Sequence, residues 1–209
     1  PLFLIGTGYL FLCWLIFFLR EKTHQREIFI VSLIGLVIGP IAIIIYLKDW
    51  WAPQYILSFP IRIEDMLYSF CVAGLSAALY HYHRKEITYR VRRPTPLYEV
   101  LMTLVGWLVF LLPFLFFKVH SFFTSIAAML FVALCILIKR SDLLRPMLFS
   151  AVGLMIIVIP AYLIPMLIDP AWIQREWLLE NFSGYFFLRV PIEEFIWHFC
   201  FGLTVSMWW

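Results

Sequence analysis

The chain has 209 residues, of which 64% are hydrophobic and only 14% are charged. A soluble domain of this length needs far more polar surface than that, so the composition excludes a soluble globular protein. The apolar runs reach about 20 residues, which is long enough to cross the core of a bilayer. The composition therefore predicts an integral membrane protein, and the net charge of +3 adds little.

The apolar runs predict an all-α fold with seven transmembrane helices, because a backbone that faces lipid must satisfy its own hydrogen bonds. The predicted spans are 1–19, 28–47, 61–82, 97–117, 120–138, 146–168 and 191–209. The four cysteines all lie in these apolar segments without a CxxC pair, a pattern typical of buried free thiols and not of a disulfide framework or a metal site.

Basic residues are distributed unequally between the two sides of the predicted bundle. Eleven lie in the loops that follow spans one, three and five, and five lie on the opposite side. The positive-inside rule then predicts a protein of the cytoplasmic membrane with its N-terminus outside and its C-terminus cytoplasmic.

Two acidic motifs stand at the heads of spans three and seven. Glu64 and Asp65 follow Pro60, and Glu193 and Glu194 follow Pro191. At a separation of 129 positions Glu64 pairs with Glu193 and Asp65 with Glu194, and earlier pairs such as Asp49 and Asp169 align at a separation of 120. Spans one to three thus repeat as spans five to seven.

The repeat predicts three units: residues 1–82, a basic loop and connector helix at 83–119, and residues 120–209. Three crossings plus one connector give the second unit the same orientation as the first, so the repeats are parallel and related by a pseudo-twofold axis along the membrane normal. That symmetry brings the two acidic motifs to the same depth and predicts one site between them.

The carboxylates are the candidate catalytic residues. Acidic side chains in apolar segments are costly and usually functional, although acids after a proline also cap ordinary helices. Neighbouring residues diverge by about 100° on a helix, so only one member of each pair can face the site. Burial favours a neutral acid that can protonate a substrate, and Arg62 beside the first pair makes the second pair the better proton donor.

Four further residues are candidates for substrate binding. His198 lies one helical turn after Glu194 and shares its face, where a hydrogen-bonding role is favoured over metal ligation. Phe195, Trp197 and Phe70 belong to the aromatic positions of the two motifs, and aromatic faces stabilise cations. The sequence contains no phosphate-binding loop and indicates neither a cofactor, a metal ion nor a nucleic-acid partner.

The tandem repeats and the segment GYFFLRVPIEEF (184–195) resemble the non-flavin lycopene cyclases of bacteria and archaea, including the fused and heterodimeric forms. The resemblance implies cofactor-independent cyclisation of the linear ends of lycopene to β-ionone rings, started by an acid and finished by a base. Glu193 and Glu194 match the family motif, whereas Glu64 and Asp65 match it in part because Arg62 replaces the proline. The implied partners are a lipophilic carotenoid and membrane lipid.

Two other functions fit parts of the pattern. A membrane terpene cyclase acting on another polyprenyl substrate would use the same protonation chemistry. A parallel-repeat membrane transporter would share the topology, but the sparse polar side chains within the spans disfavour it.

Overall fold

The computed structural model describes residues 2–54, 62–84 and 96–204. The helices are α1 (Leu2–Arg20), α2 (Gln25–Tyr46), α3 (Ile63–Arg84), α4 (Pro96–Phe117), α5 (Ser121–Lys139), α6 (Leu144–Ile168), α7 (Trp172–Glu176) and α8 (Ile192–Thr204). Short 3₁₀ turns occupy Ser141–Leu143 and Leu179–Asn181, and β1 (Phe186–Phe187) pairs antiparallel with β2 (Val190–Pro191).

The all-helical prediction is confirmed, and each predicted span has a helix within a few residues of its described bounds. Five helical segments are long and apolar enough to cross a membrane: Leu2–Arg20, Gln25–Tyr46, Val100–Phe117, Ser121–Lys139 and Ser141–Ile168. These segments support an integral membrane protein. The predicted count of seven crossings stays a prediction, because it adds α3 and α8, which are not among those five.

Parts of three sequence-based predictions lie outside the described residues. They are most of the basic loop (85–95), the approach to the first acidic motif (55–61) and the last five residues of the seventh predicted span (205–209).

Helix α3 forms the centre of the bundle and packs against α1, α2 and α6. Its middle is rich in small residues, such as Ala73, Gly74 and Ala77, which let neighbouring backbones approach closely. Helices α1, α2 and α3 make up the first helix group. The second helix group forms where α8 packs against α5 and α6, with α4 lying on α5. The groups meet closely where α6 contacts α1 and α3, whereas α2 and α5 barely touch. The bundle is therefore looser between α2 and α5.

The chain between α6 and α8 folds back over the end of the bundle. Trp51 forms a backbone bridge with Trp177, which joins this connection to the turn after α2. The hairpin turn at Leu188 and Arg189 has left-handed backbone angles (φ 51° and 66°), a conformation that costs about 1–2 kcal/mol per non-glycine residue. Ile192 N–H donates to the Tyr185 carbonyl, so the hairpin leads directly into the first turn of α8.

Close contact between α1 and α6 depends on Gly6. A Cβ atom there would lie 2.3 Å from the carbonyl oxygen of Ala161, whereas a Cβ at Gly8 would meet nothing within 4 Å. Only glycine allows the two backbones to approach this closely.

We therefore expect Gly6→Ala to destabilise the protein by about 1–3 kcal/mol, because the added methyl group forces the helices apart. Gly8→Ala is the matched control, and it should leave stability unchanged or raise it by up to about 1 kcal/mol. Unfolding of the detergent-solubilised protein measures both. Equal losses in the two variants would contradict the packing described here.

Candidate active site

A cavity of about 300 Å³ lies between the two helix groups, on the side where α2 and α5 separate. Helices α1 to α8 all contribute to its lining, which is mainly aliphatic and aromatic. Glu194 is the only carboxylate among the described residues that line it, and no lysine or arginine of the described chain does so. The cavity thus suits an apolar ligand and presents a single acid to it.

Three hydrogen-bond donors hold the carboxylate of Glu194, which is only 6% exposed. The indole N–H groups of Trp50 and Trp177 both donate to Oε1 at 2.6 Å, and the Tyr162 hydroxyl contacts Oε2 at 2.5 Å. A buried acid without such partners would cost several kcal/mol. The donors therefore allow a carboxyl group to stay deep in an apolar bundle.

The two tryptophans reach the same oxygen because a backbone bridge joins their segments. Ala52 N–H donates to the Glu176 carbonyl at 2.7 Å, and Leu178 N–H donates to the Trp50 carbonyl at 3.0 Å. These bonds flank the bridge between Trp51 and Trp177. The fold-back between α6 and α8 is thus part of the site.

Polar contacts outside the bundle secure the same connection. The Arg175 guanidinium and the Ala171 N–H both donate to the Asp169 carboxylate and hold the pKa of Asp169 below its ordinary value. Arg189 donates to the Pro170 carbonyl at 3.1 Å. These bonds tie the hairpin to the start of the connection.

His198 joins Glu194 to α3. Its Nδ1 lies 2.6 Å from the Glu194 carbonyl oxygen, and its Nε2 lies 2.6 Å from the Tyr68 hydroxyl. A carbonyl can only accept, so Nδ1 carries the proton. His198 is fully buried, which favours the neutral imidazole, and Tyr68 then donates to Nε2. The expected hydrogen-bonding role of His198 therefore involves the backbone of Glu194 and not its carboxylate.

Glu193 points away from the cavity, as the 100° divergence of neighbouring residues requires. Its Oε1 accepts from the Ser183 N–H at 2.7 Å, and it does not belong to the cavity lining. This contact joins the first turn of α8 to the segment that precedes the hairpin.

Glu64 and Asp65 are buried at the head of α3, with 4% and 2% of their surface exposed. Both make interactions within the fold, and Asp65 lies close enough to Tyr68 to interact with it electrostatically. Neither lines the cavity. The four acids are thus all buried, but only Glu194 faces the cavity, so catalytic roles for the other three stay predictions.

The aromatic candidates divide in the same way. Trp197 and His198 line the cavity, and the Trp197 indole donates to the Tyr46 hydroxyl at 3.3 Å. Phe195 packs against Tyr162, and Phe70 packs against Trp14, both outside the lining. The assignment of all four residues to substrate binding stays a prediction.

Sequence reasoning missed Trp50, Tyr162 and Trp177, which complete the environment of Glu194. Each is an aromatic side chain with a polar tip, a type that finds a hydrogen-bond partner when it is buried. The clustering of tryptophans at Trp50–Trp51 and at Trp172–Trp177 was the available signal, but tryptophans at predicted span ends equally fit an interfacial belt.

A bundle of apolar helices around an apolar cavity, with one described buried acid facing that cavity, is the arrangement of an integral membrane protein whose cavity suits a lipophilic ligand. The family model for lycopene cyclase matches residues 2–83 and 120–209. The chain therefore belongs to the lycopene cyclase family, which confirms the resemblance drawn from the motifs and supports carotenoid cyclisation as its general activity. No curated protein and no solved structure matches the chain.

The donors of Glu194 can be tested one at a time. Trp50→Phe removes one N–H donor and keeps an aromatic ring, and it should lower the cyclisation rate about 10-fold to 100-fold, because a hydrogen bond to a charged group is worth about 1.5–3 kcal/mol. Trp51→Phe is the matched control, since Trp51 also lines the cavity but donates no hydrogen bond to Glu194 in the described chain. Product formation per amount of folded protein measures both. Equal losses in the two variants would contradict the role of the Trp50 N–H.

Proposed function

We propose that this protein cyclises the linear end groups of lycopene, or of a related carotenoid, to β-ionone rings in a proton-initiated isomerisation without a cofactor. The observation that carries the proposal is the placement of Glu194. It is the one described carboxylate that faces an apolar cavity, in a chain that belongs to the lycopene cyclase family.

The surroundings of Glu194 favour a protonated acid. No described lysine or arginine lines the cavity, so a carboxylate there would be an unpaired charge in an apolar site. The two indoles can only donate, so Oε1 accepts in either protonation state and a protonated Glu194 carries its proton on Oε2. The Tyr162 hydroxyl then accepts from Oε2, and it donates to Oε2 once Glu194 is ionised. Glu194 is thus the proton donor, with its proton at a defined atom.

The proposed reaction returns every proton that it uses. Glu194 gives its proton to the terminal double bond of the polyene, which leaves a carbocation. A nearby internal double bond attacks the cation and closes a six-membered ring, and loss of a ring proton forms the new double bond. Substrate and product are isomers, so the net reaction needs no oxidant or reductant.

The donors of Glu194 suit it for both proton transfers. After it gives up its proton, the carboxylate accepts from Trp50, Trp177 and Tyr162, which stabilises the anion that develops in the transition state. The same carboxylate then reclaims a proton from the ring. Glu193, Glu64 and Asp65 remain candidate members of the catalytic set, for which we propose no separate step.

Aromatic rings that line the cavity support stabilisation of the cation there. Trp197 lies one turn beyond Glu194 on α8, and Trp107 and Phe110 contribute from α4. A cation over an aromatic face gains about 0.5–2 kcal/mol or more, most where water is excluded. These rings and His198 form the proposed binding site for the end group.

We further propose the arrangement predicted from the sequence: seven crossings, two parallel three-helix repeats (1–82 and 120–209) around a connector (83–119), and the N-terminus outside. The two segments matched by the family model support these units, because they lie on either side of the connector. The packing of α3 against α1 and α2, and of α8 against α5 and α6, supports them as well.

Expression in cells that accumulate lycopene tests the function. We expect pigment chromatography to show carotenoids with one or two cyclised ends. Glu194→Gln should reduce their formation at least about 100-fold, because general acid catalysis contributes about 10²–10⁴-fold. Glu193→Gln provides the comparison, and it should reduce product formation less than Glu194→Gln does, because Glu193 does not face the cavity.

Unchanged lycopene in cells that contain folded wild-type protein would contradict carotenoid cyclisation and favour a terpene cyclase for another polyprenyl substrate, or a transporter. Full activity of Glu194→Gln would contradict the role of Glu194.

A further inference from the structure

A second polar cluster lies at the opposite end of the first helix group. It consists of His24 in the turn before α2, Glu27 in the first turn of α2, and His81 near the end of α3. His81 follows Glu64 by 17 positions on the same helix, which places it about 25 Å farther along the axis. The cluster is thus far from the acidic motif at the head of α3, and none of its three side chains lines the cavity.

The three side chains are close enough to share one ion. One ligand atom from each lies within 4.8 Å of the others, and His81 Nε2 lies 3.2 Å from Glu27 Oε2. A tetrahedral Zn²⁺ ion with bonds of about 2.1 Å holds its ligand atoms about 3.4 Å apart. The pair formed by His81 and Glu27 already has that spacing.

His24 is the member that must adjust. Its ring stacks on that of His81, with the centroids 4.3 Å apart and the planes 8° apart, so the two rings do not yet converge on one point. His24 belongs to a short turn, and its side chain is 30% exposed. A shift of about 1 Å with a rotation of the ring brings it to the separation that a tetrahedral ion needs.

The surroundings resemble those of established metal sites. Two histidines and one glutamate form a ligand set that Zn²⁺ accepts while a fourth position stays open to water. Glu21 Oε1 lies 3.2 Å from His24 Nδ1, and carboxylates in this position orient metal-binding histidines through the second ring nitrogen. His81 is 1% exposed, so part of the cluster is shielded from solvent.

We propose that His24, Glu27 and His81 bind one divalent transition-metal ion, with Zn²⁺ as the representative. The ion would link the turn between α1 and α2 to the end of α3. It would stabilise the first helix group and take no part in the chemistry at Glu194. The sequence did not predict this site, because the ligands lie far apart in the chain and only His198 was considered as a ligand.

Zinc binding by the full-length protein in detergent tests the proposal. The protein is purified through a tag without histidine, stripped with a chelator and dialysed against Zn²⁺. We expect one Zn²⁺ per chain, and at least about 10-fold weaker binding in His81→Gln and His24→Gln. Even the loss of a residue that hydrogen-bonds to a metal ligand lowers metal affinity about 10–100-fold. Glu27→Gln, at a partly exposed side chain, provides a third variant that should fold normally and bind more weakly.

His83→Gln is the matched control, because His83 lies two positions after His81 and stacks on Phe149 outside the cluster. It should bind Zn²⁺ as the wild type does. Zn²⁺ should raise the unfolding temperature of the wild type and of His83→Gln, but not that of the three ligand variants. Absence of Zn²⁺ from the wild type at micromolar free ion would overturn the site. So would an equal loss of binding in His83→Gln, or retained binding in His81→Gln.

Discussion

The hydrogen bonding of one buried carboxyl group constrains much of this structure. Glu194 lies in the first turn of α8, and its three donors come from the turn after α2, from α6 and from the connection between α6 and α8. Each donor requires its segment to be correctly packed, so the acid and the fold depend on one another. The hairpin and the bridge between Trp51 and Trp177 are therefore structural parts of the site.

The two helix groups have related internal packing but meet unequally. Helix α1 packs closely on α6, whereas the corresponding approach of α5 to α2 is loose, and the cavity lies on that open side. The side chains differ too, because Asp65 and Ser69 stand in α3 where Glu194 and His198 stand in α8. The bundle thus presents one described acid to this cavity, with α3 supplying Tyr68 as a partner of His198.

The helices, and the rule that only one acid of each pair can face the site, could be predicted from the sequence because both follow from local geometry. Which of Glu193 and Glu194 faces the cavity could not. Apolar length determines the helix bounds, and helical periodicity separates Glu193 from Glu194 and places His198 on the face of Glu194. The donors could not be predicted, since Trp50 and Trp177 meet through a backbone bridge between segments about 130 positions apart. The turn at Leu188 and Arg189 also lacks the glycine or asparagine that signals such a hairpin.

The protonation state of Glu194 in the resting protein is the most direct test, because a neutral acid is what the proposed chemistry requires. Infrared spectroscopy detects the carbonyl stretch of a protonated carboxyl group. The account predicts such a band in the wild type and in Glu193→Gln, and its loss in Glu194→Gln. Identical carboxyl bands in the wild type and in folded Glu194→Gln would contradict it.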